Sequence, residues 1–360
     1  MALYVVSERN SNQHVAWGTS YEFEDIIART CDARILSPKG WSLHPKLDIS
    51  LGKLIAGRYR RVGGLEFARE PNVLLLIGMG PPALRMLDKL GPWRRKCSLV
   101  AAYIIDLYPG ALNRFDPRIV NKLDHLFISY EQMLEPVRAR FKTPVTFIPQ
   151  ACDALGHGAC GGNRPIDVVG YGRQIEGVHE SLQKTFNSPG TGKVYFHSTF
   201  KHTRVKNWRE DRMLFWKIMR RAKISLAYCF VETNRDTALG VSPLTARWFE
   251  AITAGCAIVG RRPRSPDADR LLDWRDAVID LPEETRQCVP FLEALIGDTE
   301  RMAGISRRNY LEALRRHDWR HRLRDMFDAL GLPLPAGAIR DLAALKAKAD
   351  ELELKPRLSA

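Results

Sequence analysis

Two groups of side chains in this 360-residue sequence stand where they could do chemistry. The first is Arg247 with Glu250, in the stretch Ser242-Pro243-Leu244-Thr245-Ala246-Arg247-Trp248-Phe249-Glu250-Ala251. Residues three apart are neighbours on a helix, so a cation and a carboxylate would lie side by side. At a helix start facing a crevice, the guanidinium and the backbone N–H groups could hold a diphosphate, and the carboxylate could accept both hydroxyls of a ribose. An ordinary surface ion pair would give the same spacing. The second is Asp106, which follows the apolar run 99–105. A carboxylate at the end of a buried strand could take the proton of a hydroxyl as that hydroxyl attacks. It could equally cap a turn before Pro109.

The elements that must position these groups follow from the hydrophobic pattern. Short apolar runs at 3–6, 73–77, 99–105, 126–128 and 145–148 alternate with amphipathic stretches such as 21–29 and 131–140. The alternation restarts with strands expected at 166–169, 194–196, 224–228, 256–259 and 277–279. Helices are expected at 178–186, 212–221 and 243–254, with more from 283 to 330 and a charged one at 341–353. Strands alternating with helices predict an α/β fold. The expectation is two Rossmann-like, doubly wound domains facing one another across a cleft, with ligands beyond the carboxyl ends of the strands. The expected boundaries are an acceptor domain over 1–152, a Gly-rich linker over 153–164, a donor domain over 165–335 and a terminal helix and tail over 336–360. In the stretch bearing Glu250, Ser242 suits a cap, Pro243 a first helical position and Gly255 a left-handed stop, while Leu244, Trp248 and Ile252 form one apolar stripe.

Composition narrows the class. A charge of +14 with 45% hydrophobic and 27% charged residues fits a packed protein with anionic partners and excludes a disordered or multi-span membrane chain. Seven scattered cysteines without a Cys-x-x-Cys pair fit a reducing compartment, and the amino terminus reads as a strand, so a cytoplasmic protein is expected. Lys201 to Lys223 holds nine Lys/Arg against two acids, with Trp208, Phe215 and Trp216 among them. A second basic stretch has an apolar stripe of Leu47, Leu51, Leu54, Ile55 and Tyr59, flanked by Lys46, Lys53, Arg58, Arg60 and Arg61. Either could rest on an anionic membrane surface, as a peripheral protein does, or bind nucleic acid, or be a solvated face with its aromatics in the core.

Four other signals carry less. Gly78-Met79-Gly80-Pro81-Pro82-Ala83 imitates a dinucleotide fingerprint, but two prolines remove N–H groups a pyrophosphate would need. Gly190-Thr191-Gly192-Lys193 lacks the residues of a P-loop. Asp267-Ala268-Asp269 after Ser265-Pro266 suits a helix start, and Cys152, His157 and Cys160 lack a fourth zinc ligand.

The segment 242–260, SPLTARWFEAITAGCAIVG, resembles the carboxyl-domain signature of GT-B-fold glycosyltransferases, closest to the group-1-like and spore-protein-like members. It is more distantly similar to that of phage DNA β-glucosyltransferases. The resemblance implies that Glu250 binds the donor ribose and that Arg247 binds the diphosphate and assists its departure. Asp167-Val168-Val169-Gly170-Tyr171-Gly172-Arg173 resembles the first strand and loop of the same domain, which implies that Gly172 and Arg173 lie near the phosphates, with Ser242 nearby. It implies sugar or acceptor contacts for Asn10, Ser11, His14 and Gly18, which a plain connecting loop would also explain. Two family-4 positions differ: Ser242 stands where a second glutamate is usual and Val178 where a lysine is. The function implied is a nucleotide-sugar-dependent hexosyltransferase, UDP-sugar favoured, without a metal or other cofactor. Its acceptor would be a cell-envelope glycan or lipid-linked saccharide. The alternatives are a DNA-modifying glucosyltransferase acting on hydroxymethylated bases and an inactive GT-B-like binding protein.

Overall fold

The computed structural model describes residues 1–39, 67–69, 71–198, 204–229 and 241–354. The second basic stretch, with its stripe from Leu47 to Tyr59, lies outside the described residues, as does Lys201. The described chain forms two compact units.

The first unit holds residues 1–39, 67–69, 71–149, 204–208 and 322–341 among those described. Its strands are β1 (Ala2–Val6), β2 (Arg34–Leu36), β3 (Asn72–Gly78), β4 (Leu99–Ile104), β5 (His125–Ile128) and β6 (Val145–Phe147). They pair in parallel in the order β2-β1-β3-β4-β5-β6. Every residue of β3 is buried, which explains why its sequence reads as one apolar run: a parallel strand is covered on both faces. Between β1 and β3 the strand order reverses direction, so the switch point lies where Ser7-Glu8 and Met79-Gly80 leave the sheet.

The second unit holds residues 150–198, 209–229, 241–321 and 342–354 among those described. Strands β7 (Ile166–Tyr171), β8 (Tyr195–Ser198), β9 (Ala222–Ala227), β10 (Ala257–Gly260) and β11 (Ile279–Asp280) pair in parallel as β11-β10-β9-β7-β8. Here the order reverses between β7 and β9. Beyond that point stand the Tyr171-Gly172-Arg173 loop and the helix Ala246–Thr253, which follows β9 in sequence. Leu244, Trp248 and Ile252 are buried in the core beneath, as their spacing predicts.

Several expectations need correction. The helix begins at Ala246 with Thr245 before it, so Ser242 does not cap it and Pro243 is not its first residue; the Ser242 hydroxyl instead donates to Cys229 Sγ at 3.1 Å. Gly255 does take the left-handed conformation, φ 65°, and a side chain there would strike the Ala159 carbonyl. The stretch 153–164 falls within the second unit. Asp153 caps a short helix, Ala154–His157, and accepts a 2.8 Å ion pair from Arg320. Residues 322–335, expected in the donor domain, group with the first unit. The terminal helix is longer than 341–353, running Ala336–Leu354, and β2 has no counterpart in the expected list.

Candidate functional site

At the β7/β9 switch point, four side chains meet. Glu250, in the helix Ala246–Thr253, is 5% exposed, and its neighbour on the helix is not its ion-pair partner. Glu250 Oε1 accepts from Arg212 Nη1 at 2.5 Å, and Oε2 accepts from the Tyr171 hydroxyl at 3.0 Å. Arg212 comes from the helix Trp208–Met219, in the basic stretch read as a surface patch. It is itself buried, its guanidinium 4.6 Å from the Phe215 ring centre and 5.1 Å from that of Trp216. That stretch therefore divides: Arg212 and Trp216 turn inward, while Arg209, Met213, Leu214 and Lys217 are exposed. Burial, and then the Glu250 carboxylate, raises the Tyr171 phenol well above its usual range, so it stays a donor.

Arg247 stands differently. It is 8% exposed, forms no ion pair among the described residues, and its Nε has no hydrogen-bond partner. Its Nη1 donates to the Arg173 carbonyl at 3.4 Å, and its guanidinium lies 5.2 Å from the Tyr171 ring centre. Burial draws its pKa below the usual arginine value; Tyr171 opposes this, Arg173 adds to it and Glu250 opposes it. A buried cation without a matched anion is costly. Gly172 takes φ 71°, the left-handed turn that carries the chain from Tyr171 to Arg173.

In the first unit, Asp106 stands two residues beyond β4. Its N–H donates to the Met79 carbonyl at 2.6 Å, and its Oδ1 accepts from the Tyr130 hydroxyl at 2.7 Å. Burial, followed by the Asp106 charge, pushes the Tyr130 phenol well above its usual range. Glu8, 8% exposed, accepts from Met79 N–H at 2.9 Å and from Trp17 Nε1 at 3.2 Å. Backbone and side chain thus link the ends of β1, β3, β4 and β5 in one row. The residues expected to touch a sugar or acceptor make these bonds within the first unit. Asn10 binds both the hydroxyl and the carbonyl of Ser37, Ser11 donates to the Glu8 carbonyl at 2.8 Å, and His14 Nδ1 accepts from Ala16 N–H at 3.1 Å. Gly18 opens the helix Gly18–Cys31. Burial, then Arg204, lowers the His14 pKa.

Sequence reasoning missed Arg212, Tyr171 and Tyr130 as parts of these sites. Tyr171 carried a signal, its place in Gly170-Tyr171-Gly172-Arg173, whereas nothing in the basic stretch separates Arg212 from its neighbours. Among the described residues no group of three or more His, Cys, Asp and Glu could hold a metal ion, and no helix is long and apolar enough to cross a membrane. A cavity of about 810 Å³ opens beyond β10 and β11. Arg261 and Arg262 on its wall already cap backbone carbonyls, and three acids, Asp269, Asp280 and Glu283, balance its three arginines.

Residues 173–328 match the family described as glycosyl transferase-like. The matched region is a little under half of the chain and lies mostly in the second unit. It begins at Arg173 and takes in Arg212, Arg247 and Glu250. Among solved structures, the chain is similar to Anabaena HepE in complex with UDP-glucose, at 12% identity, covering 92% of this chain and 99% of that one with a TM-score of 0.53. That likeness carries the fold, two Rossmann-like domains of the GT-B kind. The chain is also similar to S. aureus TarM in complex with UDP, at 10% identity, 71% and 55% coverage and a TM-score of 0.46. A third is WaaG, a glycosyltransferase involved in lipopolysaccharide biosynthesis, at 10% identity, 90% and 98% coverage and a TM-score of 0.44. The chain spans about half the length of the TarM structure. No curated protein matches it.

Proposed function

We propose that this glycosyl transferase-like chain moves a hexosyl group from a nucleoside-diphosphate sugar, UDP-sugar by preference, to a hydroxyl acceptor on a cell-envelope glycan or lipid-linked saccharide. The observation that carries the reading is Arg247: a buried guanidinium, its Nε unpartnered, at the switch point of a parallel sheet. A diphosphate supplies the missing anion. Two charge-assisted hydrogen bonds to its oxygens fit the planar fork of an arginine. Arg173 adds a second cation from the adjoining loop, and Glu250 accepts the hydroxyls of the ribose.

In the transfer, the acceptor oxygen bonds to the anomeric carbon as the bond from that carbon to the diphosphate oxygen breaks. Asp106, steadied by the Tyr130 hydroxyl, takes the acceptor's proton. The charge that gathers on the departing diphosphate is met by Arg247 and Arg173. Both cations are protein side chains, so the reading assigns no metal and no organic cofactor. The UDP-glucose of the HepE structure makes a uridine donor the first to try.

The test is thermal unfolding of the whole chain with UDP, GDP, ADP and CDP, followed by sugar transfer from the matching nucleotide sugar. A ligand at a hundredfold excess over its Kd stabilises the folded state by about 2.7 kcal/mol. One diphosphate raising the melting temperature, with the gain lost in Glu250→Ala, supports the reading. A chain that none of the four stabilises does not hold a ribonucleoside diphosphate, and the reading fails.

A further inference from the structure

The Glu250 carboxylate is already spoken for on both oxygens, once by Arg212 at 2.5 Å and once by Tyr171 at 3.0 Å. An ionised carboxylate offers about four acceptor positions. Two are therefore filled by groups that hold it still, and two remain. The holding is rigid: the Arg212 guanidinium lies against Phe215 and Trp216, and Tyr171 packs edge-on to Phe215 with ring centres 5.1 Å apart. The same phenol ring faces the Arg247 guanidinium, so one side chain touches both the carboxylate and the cation whose Nε has no hydrogen-bond partner.

We propose that Arg212 and Tyr171 are positioning residues that fix Glu250 with two acceptor positions open, and that they thereby make the site select a ribose over a 2′-deoxyribose nucleotide. The proposal rests on the donor reading above and adds to it how the carboxylate is oriented and which sugar it rejects. Neither residue touches the ligand. Arg212 acts through charge and direction, because a buried carboxylate that loses its counter-cation is no longer held in place. Tyr171 acts through a single hydrogen bond. A 2′-deoxyribose leaves one of the two open positions unfilled, and a lost hydrogen bond to a charged group weakens binding about tenfold or more.

The experiment is calorimetric titration of the full chain with UDP and with 2′-deoxyuridine 5′-diphosphate, comparing the wild type with Arg212→Met, Arg212→Lys and Tyr171→Phe. The wild type should prefer UDP by about tenfold or more. In Arg212→Met the preference should fall to within about twofold while the deoxy nucleotide binds as before, because the diphosphate contacts are untouched. Arg212→Lys restores the charge and should recover part of the preference. If Arg212→Met does not fold, Tyr171→Phe decides, since it removes one hydroxyl and keeps the ring; it should lower the preference several-fold. A full preference kept in Arg212→Met, or in Tyr171→Phe where that variant decides, overturns the proposal. So does a wild type that binds both nucleotides equally. A wild type that binds no nucleoside diphosphate removes the donor reading itself, which the other results leave standing.

Discussion

Replacing Arg247 with Met should move stability and ligand affinity in opposite directions. In the ligand-free chain Arg247 is 8% exposed, with one long hydrogen bond, 3.4 Å to the Arg173 carbonyl, and an Nε that bonds to nothing. Its burial is only partly offset by Tyr171 and Glu250. Exchanging a poorly matched buried charge for an apolar side chain of similar length is neutral or stabilising by about 1–4 kcal/mol. The Met side chain also keeps contact with the Tyr171 ring. The diphosphate, however, loses two charge-assisted hydrogen bonds, worth about 1.5 kcal/mol each at the low end, or about 3 kcal/mol together. At about 1.4 kcal/mol per tenfold, affinity should fall about a hundredfold. Chemical unfolding without ligand gives the first number and titration with UDP the second. A variant destabilised by more than about 2 kcal/mol that still binds UDP as the wild type does would show that Arg247 holds the fold and not a ligand.

Asp106→Asn should lower turnover about 10²–10⁴-fold with UDP binding unchanged, since the amide keeps the Tyr130 contact but takes no proton; steady-state transfer kinetics read this. Glu24 is fully buried and bonded to Ser7 at 2.5 Å and Arg9 at 2.7 Å, and its burial, opposed by Arg9, pushes its pKa from 4.5 up to about 7. Its folded form holds the proton more tightly than the unfolded form. Its contribution is thus full below about 4.5 and is lost as pH rises through about 7, of order 3 kcal/mol in all, and Glu24→Gln should flatten that slope in unfolding curves between pH 4.5 and 7.5. Arg320 is 1% exposed and joins Asp318 at 2.9 Å and the half-buried Asp153 at 2.8 Å, so Arg320→Ala should cost about 3–5 kcal/mol in chemical unfolding by leaving the fully buried Asp318 carboxylate without its cation.

The strands were legible because a parallel strand buried on both faces must be an unbroken apolar run, as 73–77 and 99–105 are. Helix ends were less so. Ser242-Pro243 has the chemistry of a start, yet the helix begins only at Ala246, after Leu244 has already entered the core. The glycine-rich 153–164 reads as a linker until the structure pairs Asp153 with Arg320, a contact across more than 160 residues that no local pattern announces. The same holds at the candidate site. Spacing made Arg247 and Glu250 stand out, but it also paired them with each other. The carboxylate instead takes Arg212, 38 positions away, and the second arginine is left with its Nε bare.

The most direct test is a crystal structure of the chain soaked with UDP. The diphosphate should lie within hydrogen-bond distance of the Arg247 guanidinium and both ribose hydroxyls on the Glu250 carboxylate, with Arg212 and Tyr171 still bound to it. A nucleotide seated elsewhere on the chain, with the Arg247 Nε still lacking a partner, would contradict this assignment.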